Sequence, residues 1–398
     1  MLKRIRQSYE HTIYASYGGY ITQAIINNFA PLLFLTFASD FNLTLDQITL
    51  ITTINFLVQL GVDLVSAKVV DRIGYRPCIV FAHIVCAAGL IGLAVLPSIM
   101  APYAGIMTAV VLYAIGGGII EVLISPIVEA CPTKKKEAAM SLLHSFYCWG
   151  HVFLVVVSTA FFAAFGIGSW RVLACIWALV PLVNVAYFSL VPLYPIVAEE
   201  EKKLSITGLF KQKVFWLLMV LMVCAGASEQ AMSQWASAFA ESGLNVSKTM
   251  GDLAGPCLFA VLMGISRVFY SKMSEKLDLT LTMLGCGALC VVCYLMASLC
   301  ASPVLGLLGC ALCGISVGIM WPGTLSISAQ KCPKGGTVMF ALLALAGDLG
   351  GSVGPSLVGG VSSMAGGDLK IGLLAAIVFP VLLIAGLIVL KKWVKVRK

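Results

Sequence analysis

Charge is what this chain has least of: Lys, Arg, Asp and Glu make up 11% of its 398 residues, against 60% hydrophobic. An ordinary soluble domain carries about 25% charged residues. So few charges cannot cover a water-soluble protein of this length, and the composition equally excludes a disordered, collagen-like or secreted disulfide-scaffold chain. Alternation is missing too. An outer-membrane barrel shows segments of about ten residues alternating apolar and polar, whereas runs such as Cys286–Leu299 and Ile371–Leu390 stay apolar throughout. Lipid offers the backbone no hydrogen bonds, so such runs must be helices. Lys3, Arg4 and Arg6 before an apolar stretch mimic a signal peptide. That stretch runs from about Tyr14 to Ala38, too long for an h-region, with no A-x-A site after it, and reads as the first span.

What is there is room for many spans. Twelve at ~20 residues each take roughly 240 residues and leave about 160 for loops and ends. The apolar pattern places them at 14–38, 48–69, 78–97, 103–129, 138–165, 170–191, 214–240, 250–271, 279–300, 303–328, 337–364 and 371–391. With both ends inside, 22 of the 26 Lys and Arg fall on the inner face; Arg171, Lys248 and Lys370 fall outside, and Arg267 lies within a span. This bias sets orientation, so both termini are expected in the cytoplasm, as in a cell inner (plasma) membrane. The net charge of +8 then faces anionic lipid and calls for no nucleic-acid partner. One long polar interruption, 192–213 with Glu199–Glu200–Glu201–Lys202–Lys203, divides the chain into an N-terminal bundle (1–191), a cytoplasmic linker and a C-terminal bundle (214–398).

The halves repeat at an offset of about 202 to 204 residues. Phe37–Ala38 matches Phe239–Ala240, which sets Asn27–Asn28 opposite Glu229–Gln230; Asp71–Arg72 matches Glu275–Lys276, and Asp63 falls opposite Arg267. Parallel six-span repeats are a transporter architecture. Between spans two and three stands Ala67-Lys68-Val69-Val70-Asp71-Arg72-Ile73-Gly74-Tyr75-Arg76. It resembles the major facilitator loop signature G-x-L-A-D-R-x-G-R-R, with Asp71, Arg72, Gly74 and Arg76 in register, and a degenerate copy runs from Ser271 to Asp278. The resemblance covers the whole chain through span count, linker and repeat. It implies an all-α membrane protein of two pseudo-symmetric six-helix bundles. Within that superfamily the chain is most similar to the fucose permease group of proton–sugar symporters. The carrying residues are Asn27–Asn28, Gly117–Gly118-x-x-Glu121, Ser145–Phe146–Tyr147 with Gly150, Glu229 and Trp235. That group has an acidic residue three positions after the Asn pair, where this chain has Pro31. Proton coupling would then fall to Glu121.

A carboxylate at membrane depth costs at least ~2.5 kcal/mol and so asks for a reason. Glu121 lies about eighteen residues, or ~27 Å of straight helix, into span four. Gly117, Gly118 and Ser125 share its face and are expected to leave room for ligand or water. It reads as a transient proton site, with a structural hydrogen-bonded carboxylate as the alternative. Asp348 is a second candidate, either for the proton or as partner of a gate cation. Glu229, Gln230, Gln234 and Trp235 form one expected sugar half-site, since amides bind hydroxyls and an indole face stacks on a sugar ring. Gln23, Asn27 and Asn28 form the matching half-site, with helix–helix polar packing the alternative for each residue. His144, Tyr147 and Trp321 are weaker members of the set. Asp63, in a stripe with Asn55 and Gln59, is read with Arg267 as a gate, and Asp71, Arg72 and Arg76 as a loop latch between conformations.

Cys290-x-x-Cys293 and Cys310-x-x-Cys313 have zinc-site spacing but lie in apolar spans. All fourteen cysteines read as small buried hydrophobes, and no metal or cofactor is expected. Asn42-Leu43-Thr44 and Asn245-Val246-Ser247 are glycosylation sequons. With no nucleotide-binding motif and no nucleophile–base pair, an enzyme is not expected. The reading is a monomeric secondary transporter of a small neutral polyhydroxylated solute such as a monosaccharide, symported with a proton by alternating access about a midplane site. An efflux antiporter and a non-translocating solute sensor remain as alternatives.

The orientation is testable. In a Ser205→Cys variant an impermeant thiol reagent is expected to leave position 205 unlabelled in intact cells and to label it after permeabilisation. Labelling from the outside would overturn the assignment.

Overall fold

The computed structural model describes residues 5–133, 136–194, 206–273, 277–332 and 336–395. Twelve helices are long and apolar enough to cross a membrane, and among the described residues there is no β-strand. The first six are α1 (Tyr9–Phe41), α2 (Leu45–Val65), α3 (Tyr75–Ile99), α4 (Pro102–Val128), α5 (Leu142–Phe165) and α6 (Ile167–Leu190). The second six are α7 (Lys213–Gly243), α8 (Lys248–Tyr270), α9 (Leu279–Leu299), α10 (Pro303–Ser328), α11 (Leu342–Met364) and α12 (Leu369–Lys392). The chain separates into two compact units, Met1–Ala198 and Glu199–Lys398. The charged run 199–203 lies outside the described residues, and Ile206–Phe210 forms a short helix ahead of α7.

The internal repeat reappears in the packing of each unit. In the first, α1 packs on α5, α2 on α4, and α3 on both α4 and α6; in the second, α7 packs on α11, α8 on α10, and α9 on both α10 and α12. It is also visible at the turns. Asn42 is left-handed (φ 51°) and closes α1, and Thr44 then caps α2 in a reciprocal capping box with Gln47. Two hundred and three positions later Asn245 is left-handed (φ 60°), and the Ser247 side chain caps α8 on the Met250 amide. The Asn-x-Thr and Asn-x-Ser triplets therefore have a local structural cause. Asn tolerates the left-handed turn, and a hydroxyl two residues on accepts an orphan N–H of the next helix.

Helix breaks fall beside polar side chains. Pro31 has no N–H for the Asn27 carbonyl, so α1 is α-helical over Tyr9–Asn28, tightens to 3₁₀ over Ala30–Leu33 and resumes at Phe34. In the second unit a π-helical turn, Phe239–Gly243, ends α7, and another, Leu253–Cys257, interrupts α8. Between them Lys248 Nζ reaches Glu241 at 3.1 Å and Asp252 at 3.2 Å, while the Ser237 hydroxyl donates to the fully buried Asp252. At the other end of the first unit, the Arg76 guanidinium donates to the carbonyls of Phe188 (2.7 Å) and Val191 (2.8 Å). These are the unpaired acceptors at the C-terminus of α6, where a cation is favoured.

His83 shows how a polar group is accommodated inside the first unit. Its Nδ1 lies 2.7 Å from the Ile79 carbonyl and so carries the proton, leaving Nε2 to accept from Asn184 Nδ2 at 2.8 Å. Asn184 also donates to Ala15 O at 3.0 Å, which ties α1, α3 and α6 together. All fourteen cysteines are free thiols; Cys290 and Cys313 come closest, with Sγ atoms 4.0 Å apart across α9 and α10. Among the described residues no group of three or more metal-ligating side chains is arranged to hold an ion.

One tight helix crossing is α7 on α11, where the backbones approach closely. A Cβ added to Gly226 would run into the Gly347 carbonyl, and one added to Gly350 into the Val223 carbonyl. Small residues at such crossings let dispersion and weak contacts replace the hydrophobic drive that lipid removes. Gly350→Ala is therefore expected to destabilise the protein by about 1–3 kcal/mol in detergent thermal denaturation. Gly360→Ala, where nothing lies within 4 Å of the added carbon, is expected to leave the midpoint unchanged. Equal behaviour of the two variants would show that the crossing is not tight.

Candidate functional site

In the first unit, α1, α2 and α4 bring five polar side chains into one chain of hydrogen bonds. Gln23 Nε2 donates to Glu121 Oε2 (3.1 Å) and to Gln59 Oε1 (2.8 Å). Gln59 Nε2 donates to Asn27 Oδ1 (2.8 Å), which also accepts from Asn55 Nδ2 (3.1 Å). The orientation of every amide follows from one end. A carboxylate only accepts, so Gln23 must turn its nitrogen to Glu121, and the sense then propagates through Gln59 to Asn27 and Asn55. Two oxygens are left over: Gln23 Oε1 and Asn55 Oδ1 have no protein hydrogen-bond partner, in side chains 2% and 4% exposed. A buried acceptor without a donor costs about 1–3 kcal/mol. Asn28, next in sequence to Asn27, points its amide instead to Ala24 O (2.9 Å) and Tyr147 Oη (3.2 Å), joining α1 to α5.

The sequence singled out Gln23, Asn27, Asn28, Glu121 and Tyr147, and the structure brings all five into these contacts. Asn55 and Gln59 complete the network. The signal for them was present as a polar stripe at four-residue spacing on α2, but that stripe was grouped with Asp63, half-buried one turn further on. One expectation is corrected. Gly117 and Gly118 open no space for ligand or water, because Gln59 and Ile26 lie against the first, and the Gln59 carbonyl with Val62 against the second. The glycines admit α2 to α4, and so bring Gln59 within reach of Gln23. Ser125, on the same face as Glu121, meets the Tyr20 hydroxyl at 3.2 Å. His144 is exposed, its ring 5.3 Å from that of Tyr20.

The second unit has a different chemistry at the repeat-equivalent place. Arg267 Nη2 lies 3.5 Å from Glu229 Oε2, and its Nε donates to Gly318 O at 3.1 Å. Glu229 Oε1 accepts from Gln230 Nε2 (3.5 Å), and Gln230 Oε1 from Gln234 Nε2 (3.1 Å). Arg267, grouped from the sequence with Asp63, thus joins Glu229 in an α7–α8 ion pair. Trp235 is buried, its indole N–H on the Pro355 carbonyl (3.0 Å), so its ring serves the α7–α11 contact. The half-buried Trp321 ring lies against Gly347, where an added Cβ would collide with it, and Asp348 is buried beside that glycine. The side chains of Asp71 and Arg72 lie outside the described residues, while Arg76 occupies the α6 terminus described above.

Twelve spanning helices in two six-helix units, each with buried polar side chains at membrane depth, define the class of a polytopic membrane transporter. The Major Facilitator Superfamily model matches residues 16–355, and the chain belongs to that family. No curated protein matches the chain. Among solved structures, a bacterial homolog of the human lysosomal transporter Spinster, inward-facing and unoccupied, is 16% identical with TM-score 0.76, covering 96% of each chain. A D-xylose-proton symporter is 14% identical with TM-score 0.75, over 94% of this chain and 97% of the other. FucP, a major facilitator transporter in the outward conformation, is 13% identical with TM-score 0.64 over the same shares. At these identities the likeness is one of fold.

The ion pair makes a stability prediction. Arg267→Met strands a buried carboxylate and is expected to cost on the order of 2–3 kcal/mol. Arg267→Met combined with Glu229→Gln is expected to recover most of that loss in thermal denaturation. A single variant as stable as the wild type would show that the pair contributes nothing to the fold.

Proposed function

We propose that the protein is a secondary active transporter that symports a small neutral polyhydroxylated solute, a monosaccharide or polyol, with a proton. It would act as a monomer in the cytoplasmic membrane with both ends inside. The observation that carries this reading is the α1–α2–α4 network: four buried amides and one half-buried carboxylate within the spans, with two oxygens left over. Neutral amides suit a neutral solute with many hydroxyls, since each amide offers donors and an acceptor without fixed charge. An intramembrane network of this kind is costly unless it is used. A greasy solute would find little to bind among these amides, which weighs against an efflux pump for apolar compounds. One of the fold neighbours, the D-xylose-proton symporter, is in keeping with the reading.

Glu121 is the proposed proton carrier. Its contact with Gln23 is an amide N–H, which a carboxylate and a carboxylic acid both accept through Oε2. Loading and unloading a proton at Glu121 therefore leaves the hydrogen bond standing. Glu229 instead lies 3.5 Å from the Arg267 guanidinium, so protonating it would break an ion pair. Asp348 remains a second carboxylate for the same role, and Asp63, Asp71 and Arg72 remain the proposed gate and latch.

Glu121→Gln separates coupling from binding. The variant resembles the protonated side chain in shape and cannot release a proton. In proteoliposomes it is expected to exchange labelled for unlabelled solute, because exchange moves no net proton. It is expected to lose accumulation driven by an imposed pH gradient, and with it most of the pH dependence of transport. Undiminished accumulation would make Glu121 structural and move the proton to Asp348. Binding without any exchange in the wild type would make the protein a solute sensor.

A further inference from the structure

Two buried oxygens of the α1–α2–α4 network have no protein partner, and both are acceptors. Gln23 spends both amide hydrogens, on Gln59 and on Glu121, and presents only Oε1. Asn55 turns its nitrogen to Asn27, and its Oδ1 has no protein partner. Both side chains are almost fully buried, so bulk water does not serve these oxygens, and both are acceptors. The cause is Glu121: a carboxylate at one end of a chain of amides sets the sense of the bonds along it, which leaves Gln23 Oε1 and Asn55 Oδ1 outside those bonds. We infer that this site recognises its solute as a hydrogen-bond donor, through Gln23 Oε1 and Asn55 Oδ1, and that Asn55 is a specificity-determining residue. The inference rests on the solute class proposed above and adds a polarity to it. A hydroxyl facing the site must give its proton, so a group that can only accept will not replace it. Sites built to hydrogen-bond a substrate group reject analogues that leave that bond unmade, because the buried partner is then stranded.

Fluorine tests this, being close to a hydroxyl in size but unable to donate. Purified protein is screened against hexoses and polyols by thermal shift, and the most stabilising hexose is compared with its deoxyfluoro and aminodeoxy analogues at each ring position. At one position or more the fluoro analogue is expected to bind about ten-fold weaker or worse, with the amino analogue, which donates, close to the parent. Asn55→Leu or Gln23→Met is expected to weaken the parent and to erase its advantage over that fluoro analogue. Fluoro analogues that bind like the parent at every position overturn the inference and leave the solute class standing. A fluorine penalty that persists in both variants overturns it as well, since the donor then goes elsewhere. If no hexose or polyol stabilises the protein, the proposed solute class fails and the inference falls with it. The analogue series on the wild type stands even where a variant does not fold.

Discussion

Hydrocarbon gives a buried amide, hydroxyl or carboxylate nothing to bond with, so in a chain this poor in charge each such group must find its partner inside its own bundle. Much of the structure answers to that constraint. His83 is threaded between the Ile79 carbonyl and Asn184, and Arg76 closes on the last carbonyls of α6. Trp235 sets its indole N–H on the Pro355 carbonyl, and Asp252 is held by Lys248 and Ser237. Close helix crossings serve the same end. Gly118 lets α2 approach α4 until Gln59 meets Gln23, and Gly226 and Gly350 let α7 and α11 touch along their backbones.

The leftover oxygens of Gln23 and Asn55 share that state with the hydroxyls of Thr159, Ser228, Ser298 and Ser362, but they alone of these belong to the α1–α2–α4 network. Buried polar atoms in folded proteins are almost always paired, and an exception asks for a cause. Nearby hydroxyls show that pairing is easily reached inside these helices: Ser16 bonds back to Thr12 O, and Thr22 to Gly18 O. Gln23 and Asn55 are instead turned by the network itself. A polar network that is only partly satisfied is worse than an apolar core for stability alone. The solute site proposed above would account for that cost.

The spans, their number and the repeat were legible in the sequence because each rests on a one-dimensional signal: a run of about twenty apolar residues, or an offset shared by several pairs. Gln23, Asn27 and Glu121 were legible for a related reason, since any polar residue deep in an apolar run is conspicuous. What the sequence did not reveal is who meets whom. Arg267 was aligned with Asp63 through the repeat register, yet its partner is Glu229, 38 positions away and on a different helix. Asn55 and Gln59 were visible as a stripe, but its direction, toward α1 rather than a gate, is set by helix rotation. Gly117 and Gly118 were misread because small residues on a polar face mark either a cavity or a close helix contact, and the pattern is the same for both.

The two units share a packing scheme and differ in the charge of their polar sites, and the difference follows from single residues. Position 267 supplies a cation where the first unit has Asp63, and Glu229 stands where the first unit has Asn27. Glu229 therefore has an arginine as its partner. The first unit has its carboxylate on α4, where it accepts from the neutral Gln23 amide. A repeat that duplicated the whole site would have placed two ion pairs, or two exchangeable carboxylates, at membrane depth. Divergence at these two positions leaves one carboxylate bound to a cation and one bound to amides. The second kind is the carboxylate proposed as the proton site, and its bond to Gln23 sets the sense of the amide chain linked to it.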